Sequence, residues 1–393
     1  PAIIGRICPA FCEEKCRRYD RGGALSSRLL KRCAADFGYE LYKEEPPKIE
    51  TGKKVAIIGG GPAGITAAYF LRKLGHLVTI FEERPRLGGM MRLIPKFRLP
   101  RKIMDSEIKQ CCSIGIEVKT NTPVRYLDEL FNQGFNAIFV GNGAQKSSRL
   151  GIPGEDNPRV IGALEFLRAV HDENKKIEVG DNVYVIGGGN VAMDAARTAL
   201  RLGAKKVHLC YRRTKEEMPA SQFELEEAEL EGTECMLLSN PTRVIESPNG
   251  IKVEFVRMEL GAPDASGRRR VEPKPGSEFQ LEVNTLITAI GYGPNIPPEY
   301  KLNLSKGGYI IADQETLKTS REGVFAAGDI VTGPNSVIHA CAGGRRAAHY
   351  IDKYLGGVNT VPTEHRLRML QLIRTLLSLE LEVVAVHAEG SLM

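Results

Sequence analysis

Three groups of residues in this 393-residue chain have the types and spacing to do chemistry. Cys8, Cys12 and Cys16 follow one another as C-x3-C-x3-C, with Cys33 further on. Thiolates so close together can share an iron–sulfur cluster, and arginines around them stabilise an anionic assembly; a zinc site or buried structural cysteines are the alternatives. The second group is Gly59-Gly60-Gly61-Pro62-Ala63-Gly64, and the third Gly187-Gly188-Gly189-Asn190-Val191-Ala192. A pyrophosphate needs backbone N–H donors and a helix N-terminus, with no side chains in the way. In the first turn Gly59 permits the bend, Gly61 lets the backbone approach phosphates, and Gly64 allows helix to pack on strand. About 20 residues on stands Glu82, a carboxylate placed to accept from an adenosine ribose.

The second turn differs at that point. The same count from Gly189 reaches Cys210, not an acid, and Tyr211-Arg212-Arg213 follows. A 2′-phosphate is repelled by a carboxylate and suits a guanidinium fork, so NADPH is expected here rather than NADH. The alternative is a solvated basic strand end. Two dinucleotide turns in one chain point to a flavoprotein, one holding FAD and the other a nicotinamide. Gly328-Asp329 after Val324-Phe-Ala-Ala327 supports this, because an Asp at a strand end can bind ribityl hydroxyls.

Each turn needs a strand to deliver it and a helix to receive the phosphates. Val55-Ala-Ile-Ile58 is a short apolar run of the buried parallel-strand type, followed by a helix over Ile65 to Leu74 and a strand from Leu77 to Phe81. The unit recurs as Asn182 to Ile186, a helix to about Leu202, and a strand from Lys206 to Tyr211. Asn136 to Val140, ending in Gly141-Asn142-Gly143, and Thr285 to Ile290, ending in Gly291, read as further strands of these units. Lys43 to Lys54 contains Glu-Glu-Pro-Pro, a linker composition.

From Gly5 to Gly357 the chain resembles the small subunit of NADPH-dependent glutamate synthase and its relatives, among them the N-terminal half of dihydropyrimidine dehydrogenase and the large subunit of electron-bifurcating ferredoxin:NADP transhydrogenase. The phrases that carry the resemblance are Gly5-Arg-Ile-Cys-Pro-Ala-Phe-Cys12, Leu30-Lys-Arg-Cys-Ala-Ala-Asp36, Val55 to Gly64, Gly88-Gly89, Gly187 to Asp194, Tyr211-Arg-Arg213 with Glu217-Met-Pro-Ala220, and Ala326 to Asp329. It implies an α/β fold of two Rossmann-like domains, the NADPH domain inserted in a discontinuous FAD domain, with a small helical iron–sulfur domain in front. The expected boundaries are 1–42 for the cysteine-rich domain, 43–54 for the linker, 55–160 for the first FAD segment, 161–284 for the NADPH domain, 285–358 for the second FAD segment, and 359–393 for a C-terminal helix and tail.

FAD contacts are expected at Gly59, Gly61, Pro62, Ala63, Gly64, Glu82, Gly88, Gly89, Gly143, Gly328, Asp329 and Val337, and NADP contacts at Gly187, Gly188, Gly189, Asn190, Val191, Arg212, Arg213 and Gly291. Cys8, Cys12 and Cys16 are the expected ligands of a [4Fe–4S] cluster. The family pattern has a further cysteine group upstream that this sequence lacks, and relatives tend to carry an aromatic residue at Cys33. Either the chain is a piece of a longer polypeptide, or a partner supplies ligands, or Cys33 completes one cluster; the first two are favoured. No catalytic side chain is assigned, because hydride passes between aligned cofactors.

Charge sharpens this. Of the formal +6, residues 1–33 carry +5, with eight Lys/Arg against three acids and four of the nine cysteines. No aromatic-interleaved basic face accompanies them, so nucleic acid is not expected as a partner. No apolar run approaches the length of a membrane span. An odd cysteine count without scaffold spacing fits a reducing cytoplasm. Cys210, Cys235 and Cys341 read as core residues and the adjacent Cys111 and Cys112 as unsuited to a disulfide, while His339 and Asn335 fall just after the Gly-Asp phrase, where the chain can pass a flavin ring.

The expected function is an oxidoreductase module passing electrons from NADPH through FAD to iron–sulfur clusters and a partner subunit or domain that carries further iron–sulfur or flavin centres. One alternative is the flavin subunit of a bifurcating transhydrogenase, hydrogenase or dehydrogenase complex. A non-catalytic nucleotide-binding scaffold is another.

Overall fold

The computed structural model describes residues 1–38, 43–248, 250–263 and 269–357. The expected helix and tail at 359–393, and the end of the cysteine-rich segment at 39–42, lie outside the described residues.

The chain begins with three helices, α1 (Ile4–Ile7), α2 (Phe11–Glu14) and α3 (Ser27–Gly38). It then enters β1 (Lys54–Ile58), whose apolar residues are buried as expected of an inner parallel strand. Helix α4 (Pro62–Lys73) starts earlier than the apolar pattern suggests, because Pro62 is pre-set for the first helical position after Gly61. Next come β2 (Leu77–Phe81), α5 (Arg101–Cys112), β3 (Glu117–Lys119), α6 (Leu127–Asn132), β4 (Ala137–Val140) and β5 (Ala144–Ser147).

A second series follows: β6 (Val160–Gly162), α7 (Ala163–Leu167), a π-helical turn Arg168–Asp172, β7 (Asn182–Ile186), α8 (Asn190–Arg201), β8 (Lys206–Tyr211), α9 (Gln222–Leu230) and β9 (Thr233–Leu237). Strands β10 (Ser239–Ser247), β11 (Gly250–Pro263), β12 (Arg269–Pro273) and β13 (Phe279–Val283) lead into β14 (Thr285–Thr288) and β15 (Tyr292–Pro294). The described chain ends with β16 (Val324–Ala326), α10 (Asp329–Thr332) and α11 (Val337–Tyr354).

Two all-parallel sheets result. The first runs β16-β4-β1-β2-β3 and the second β6-β14-β7-β8-β9. The chain leaves the first sheet after β4, builds the whole second sheet, and returns in β16 beside β4. Antiparallel strands β10, β11, β12 and β13 cover one face of the second sheet, where Tyr184, Ile186 and Cys210 meet Val253 and Phe255. The ribbon β5–β15 joins the two bodies.

The expected boundary between residues 284 and 285 falls inside the second sheet. Strand β14 pairs along its whole length with β7 and also with β6, so the return to the first sheet comes after it. The strands Thr285–Thr288 and Ala137–Val140 are both buried and parallel, each followed within a few residues by glycine. Periodicity cannot tell which sheet such a strand joins.

The packing explains two of the glycines. A Cβ on Gly64 would lie 1.9 Å from the Gly59 carbonyl oxygen, and one on Gly344 would lie 2.1 Å from the Ala63 carbonyl oxygen. Helix α4 therefore presses against both its own glycine turn and α11, its first turn packed against the stretch of α11 around Cys341 to Gly344.

The N-terminal segment is helical as expected, but its thiols are not assembled. Cys8 is buried, its Sγ accepting from the Ala10 amide at 3.4 Å, whereas Cys12 and Cys33 are exposed and Cys16 lies between these extremes. Among the described residues, no group of three or more His, Cys, Asp or Glu side chains is gathered to hold a metal ion. Likewise no helix among them is long and apolar enough to cross a membrane.

Candidate functional site

Both glycine turns are hung in the same way. The Gly59 amide donates to the Phe81 carbonyl and the Gly187 amide to the Cys210 carbonyl, each at 2.9 Å. Each turn thus sits at the carboxyl edge of its sheet, between the strand that delivers it and the next one. That is where open α/β sheets bind ligands.

At the first turn lies a cleft of about 1060 Å³, counting the part open to solvent. Gly59, Gly61, Pro62, Ala63, Glu82, Gly89, Gly143, Gly328, Asp329 and Val337 line it. Gly64 and Gly88 do not: Gly64 lies behind the turn, and the Gly88 amide holds the Gly60 carbonyl at 2.7 Å. The walls come from both chain segments of the first sheet, which the return of β16 and α10 brings together.

Glu82 is 5% exposed. Its carboxylate accepts from the Gly60 amide at 2.8 Å and the Arg84 amide at 2.9 Å, and burial raises its pKa. Each carboxylate oxygen keeps a lone pair for a ligand hydroxyl. Asp329, in the first turn of α10, accepts from the Asn335 amide at 3.3 Å, and burial pushes its pKa up to about 6. Asn142, also in the wall, has a buried Oδ1 with no hydrogen-bond partner among the described residues. A cleft with backbone amides at one turn, carboxylates at two strand ends and an unpartnered amide oxygen fits a flavin dinucleotide.

Several wall residues carry no motif signal: Glu83, Thr122, Val124, Gln145, Tyr292 and Tyr300. Asn142 had a weak one, lying within the Gly-Asn-Gly that ends β4. His339 sits at the start of α11, its Nδ1 2.7 Å from Ser336 Oγ, and its ring meets Phe11 of the cysteine-rich segment at 5.6 Å. That segment therefore packs beside the cleft mouth.

At the second turn, Gly187, Gly188 and Gly189 connect β7 to α8, with Asn190 and Val191 in the first helical turn. The Tyr211 ring packs under Gly188, and the Tyr211 hydroxyl donates to the Glu217 carbonyl at 2.8 Å. Arg212 is exposed, with no carboxylate paired to it among the described residues. The Arg213 Nε donates to the Arg269 carbonyl at 2.9 Å, which ties it to the β11–β12 hairpin. Gly291 lies between the two sites: Gly187 abuts Ala289, while Tyr292 already lines the first cleft.

Two parallel sheets, each with a phosphate-type glycine turn at its carboxyl edge, define a two-dinucleotide oxidoreductase. The chain belongs to the pyridine nucleotide-disulphide oxidoreductase family, whose profile matches residues 53–344. It is an enzyme of the flavin- and NAD(P)-dependent kind.

Over 381 residues it is 37% identical to the glutamate synthase [NADPH] small chain of Escherichia coli, covering 90% of this chain and 80% of that one. It is 42% identical to the NADP(+)-dependent formate dehydrogenase subunit beta of Moorella thermoacetica, covering 92% of this chain and 55% of the relative. With the NADPH-Fe(3+) oxidoreductase subunit beta of Geobacter sulfurreducens the identity is 38%, over 93% and 60% of the two chains. The chain thus spans little more than half the length of these last two. Among solved structures it resembles Mycobacterium tuberculosis FprA in complex with NADPH, with a TM-score of 0.67 at 21% identity, covering 78% of this chain and 85% of that one. The resemblance to the glutamate synthase small subunit stands on these figures, and the relatives named as subunits belong to larger assemblies.

Proposed function

We propose that the chain is the NADPH-oxidising flavin module of a multi-subunit enzyme, taking electrons from NADPH at the second glycine turn and passing them from FAD in the first cleft to a partner subunit. The observation that carries the reading is the first cleft itself. It joins Gly59, Gly61, Pro62, Ala63 and Glu82 from one chain segment to Gly328, Asp329 and Val337 from the other.

When bound, the flavin accepts a hydride and releases electrons singly, chemistry that belongs to the cofactor. The chain's own residues bind and orient. Glu82 holds an adenosine ribose, and the amides of the Gly59–Gly61 turn meet a pyrophosphate at the start of α4. Asp329 accepts from ribityl hydroxyls, and Asn142 Oδ1 offers an acceptor in the same wall. Across the seam, Gly187–Gly189 and α8 take the second pyrophosphate, and Arg212 and Arg213 read the 2′-phosphate.

The N-terminal cysteines, one buried and two exposed, are not gathered to hold a cluster as they stand. A [4Fe–4S] cluster at Cys8, Cys12 and Cys16 requires those thiols to converge with a fourth ligand, from Cys33 or from outside this chain.

An absorption spectrum tests the proposal. The purified protein should show flavin bands that bleach anaerobically on adding NADPH. A flavin-free protein, or a flavin inert to NADPH, would leave only a nucleotide-binding scaffold.

A further inference from the structure

Hydride transfer depends on how the two dinucleotide bodies are held against each other, and one segment dominates that seam. It leaves the flavin-cleft wall at Gly89 and Met90 and runs to the start of α5 at Arg101. Leu93 is buried in the apolar core of the second body with Phe166, Val185 and Met193. The Phe97 ring lies under the guanidinium groups of Arg197, 4.9 Å away, and Arg201, 3.8 Å away, both on α8. The Arg101 Nε donates to the His171 carbonyl at 3.2 Å.

Arg98 stands at the centre. Its Nη1 lies 2.5 Å from Asp194 Oδ1 and its Nη2 2.6 Å from Glu224 Oε1. Asp194 is one turn along α8 from Asn190, the residue that opens the helix at the second glycine turn. Glu224 is in the first turn of α9, whose capping residue Ser221 donates its amide to Asn190 Oδ1 at 3.0 Å. Both hydrogen bonds of Arg98 therefore end on the two helices that converge on Asn190.

We propose that Arg98 is a positioning residue for the hydride-transfer reaction, locking the α8–α9 corner of the nicotinamide turn to the wall of the flavin cleft. This rests on the proposed function, in which the two sites hold NADPH and FAD.

A guanidinium fork bridging two carboxylates sets their separation as well as their charge. Arg197 also reaches Glu224, at 3.4 Å, but is itself drawn to Glu227 and Glu231, so it cannot replace Arg98 at Asp194. Without Arg98, Asp194 loses its ion-pair partner and faces Glu224 with only Arg197 nearby, so the corner loses the bridge that fixes the separation of the two carboxylates. Displacements of about 1 Å between reacting groups can cost on the order of 100-fold in rate.

The test uses the FAD-loaded chain and anaerobic stopped-flow spectroscopy. In Arg98→Met, the limiting rate of flavin bleaching at saturating NADPH should fall by at least about tenfold. FAD content, and the rate of flavin reduction by dithionite, which needs no nicotinamide alignment, should stay within about twofold of wild type. Arg98→Lys should recover some of the loss, since a single ammonium can meet one carboxylate well but not both.

A limiting rate within twofold of wild type in Arg98→Met overturns the proposal. If Arg98→Met does not retain FAD, the near-isosteric Asp194→Asn decides. A several-fold slower bleaching by NADPH with dithionite reduction unchanged supports the lock, and an unchanged rate overturns it. Should NADPH fail to bleach the wild-type flavin, the functional reading itself fails, which is separable from a variant that behaves like wild type.

Discussion

The Gly60 amide donates to the buried Glu82 carboxylate at 2.8 Å, so the first glycine turn and the acid at the end of β2 form one hydrogen-bonded unit. The other oxygen of Glu82 takes the Arg84 amide at 2.9 Å. Backbone donors on both sides make this a place for a carboxylate and not for an amide.

Glu82→Gln turns an NH2 group toward one of those amide donors. An unsatisfied buried donor costs about 1–3 kcal/mol, so FAD should bind roughly 5- to 150-fold more weakly. Titration of the apoprotein with FAD measures it. Unaltered affinity would remove Glu82 from the flavin site.

Arg212 is exposed and without a carboxylate partner among the described residues, while Arg213 is held through Nε to the β12 backbone. Replacing both with Gln should weaken NADPH much more than NADH, by about 1–3 kcal/mol for each charged hydrogen bond lost. The ratio of KM values for the two nucleotides reads this directly. Equal loss for both would refute a 2′-phosphate role.

His171 lies in the seam, its Nε2 2.8 Å from Thr198 Oγ1. Burial and the neighbouring charges of Arg101, Lys96 and Arg201 lower its pKa from 6.5 to about 4. The unfolded chain therefore takes a proton first as pH falls. The stability that His171 confers is complete above about pH 6.5 and is lost between there and about pH 4, at up to about 1.4 kcal/mol per pH unit. Asp194, raised to about 6 by burial, works in the opposite direction over some of that range. The measurement is thus a difference: on going from pH 7 to pH 5 in urea unfolding, His171→Gln should lose less stability, or gain more, than wild type. Identical slopes would contradict the shift.

The thiols of Cys8, Cys12, Cys16 and Cys33 are not gathered in this fold. The chain purified alone should carry FAD and far less iron than a full cluster needs, and Cys12→Ser should leave FAD binding unchanged. Iron at cluster stoichiometry in the isolated chain would show that these thiols converge unaided.

The dinucleotide turns were legible because their physics is local. Val55 to Ile58 needs only to be apolar and short to become an inner strand, and the glycines after it must bend and approach within a few residues. The same holds for Asn182 to Asn190 and for the carboxylate of Glu82. The sheet that β14 joins was not legible, because its apolar residues satisfy either core equally. Nor could C-x3-C-x3-C reveal that Cys8 would turn into the body while Cys12 faced solvent, since spacing fixes proximity along the chain and not the direction of a side chain.

By itself, then, the sequence determined the two glycine turns, the acid at one and the arginine pair at the other, all set by backbone geometry and charge within one strand–turn–helix unit. Only the tertiary structure decided how those units face each other. Arg98 and Asp194 stand 96 residues apart in sequence, in no shared motif, and meet because Leu93 buries itself in the second body's core and the Phe97 ring stacks under Arg197 and Arg201 of α8, which carries the arginine to the corner where α8 and α9 begin. Long-range burial chose that contact, and periodicity along the chain carries no record of it.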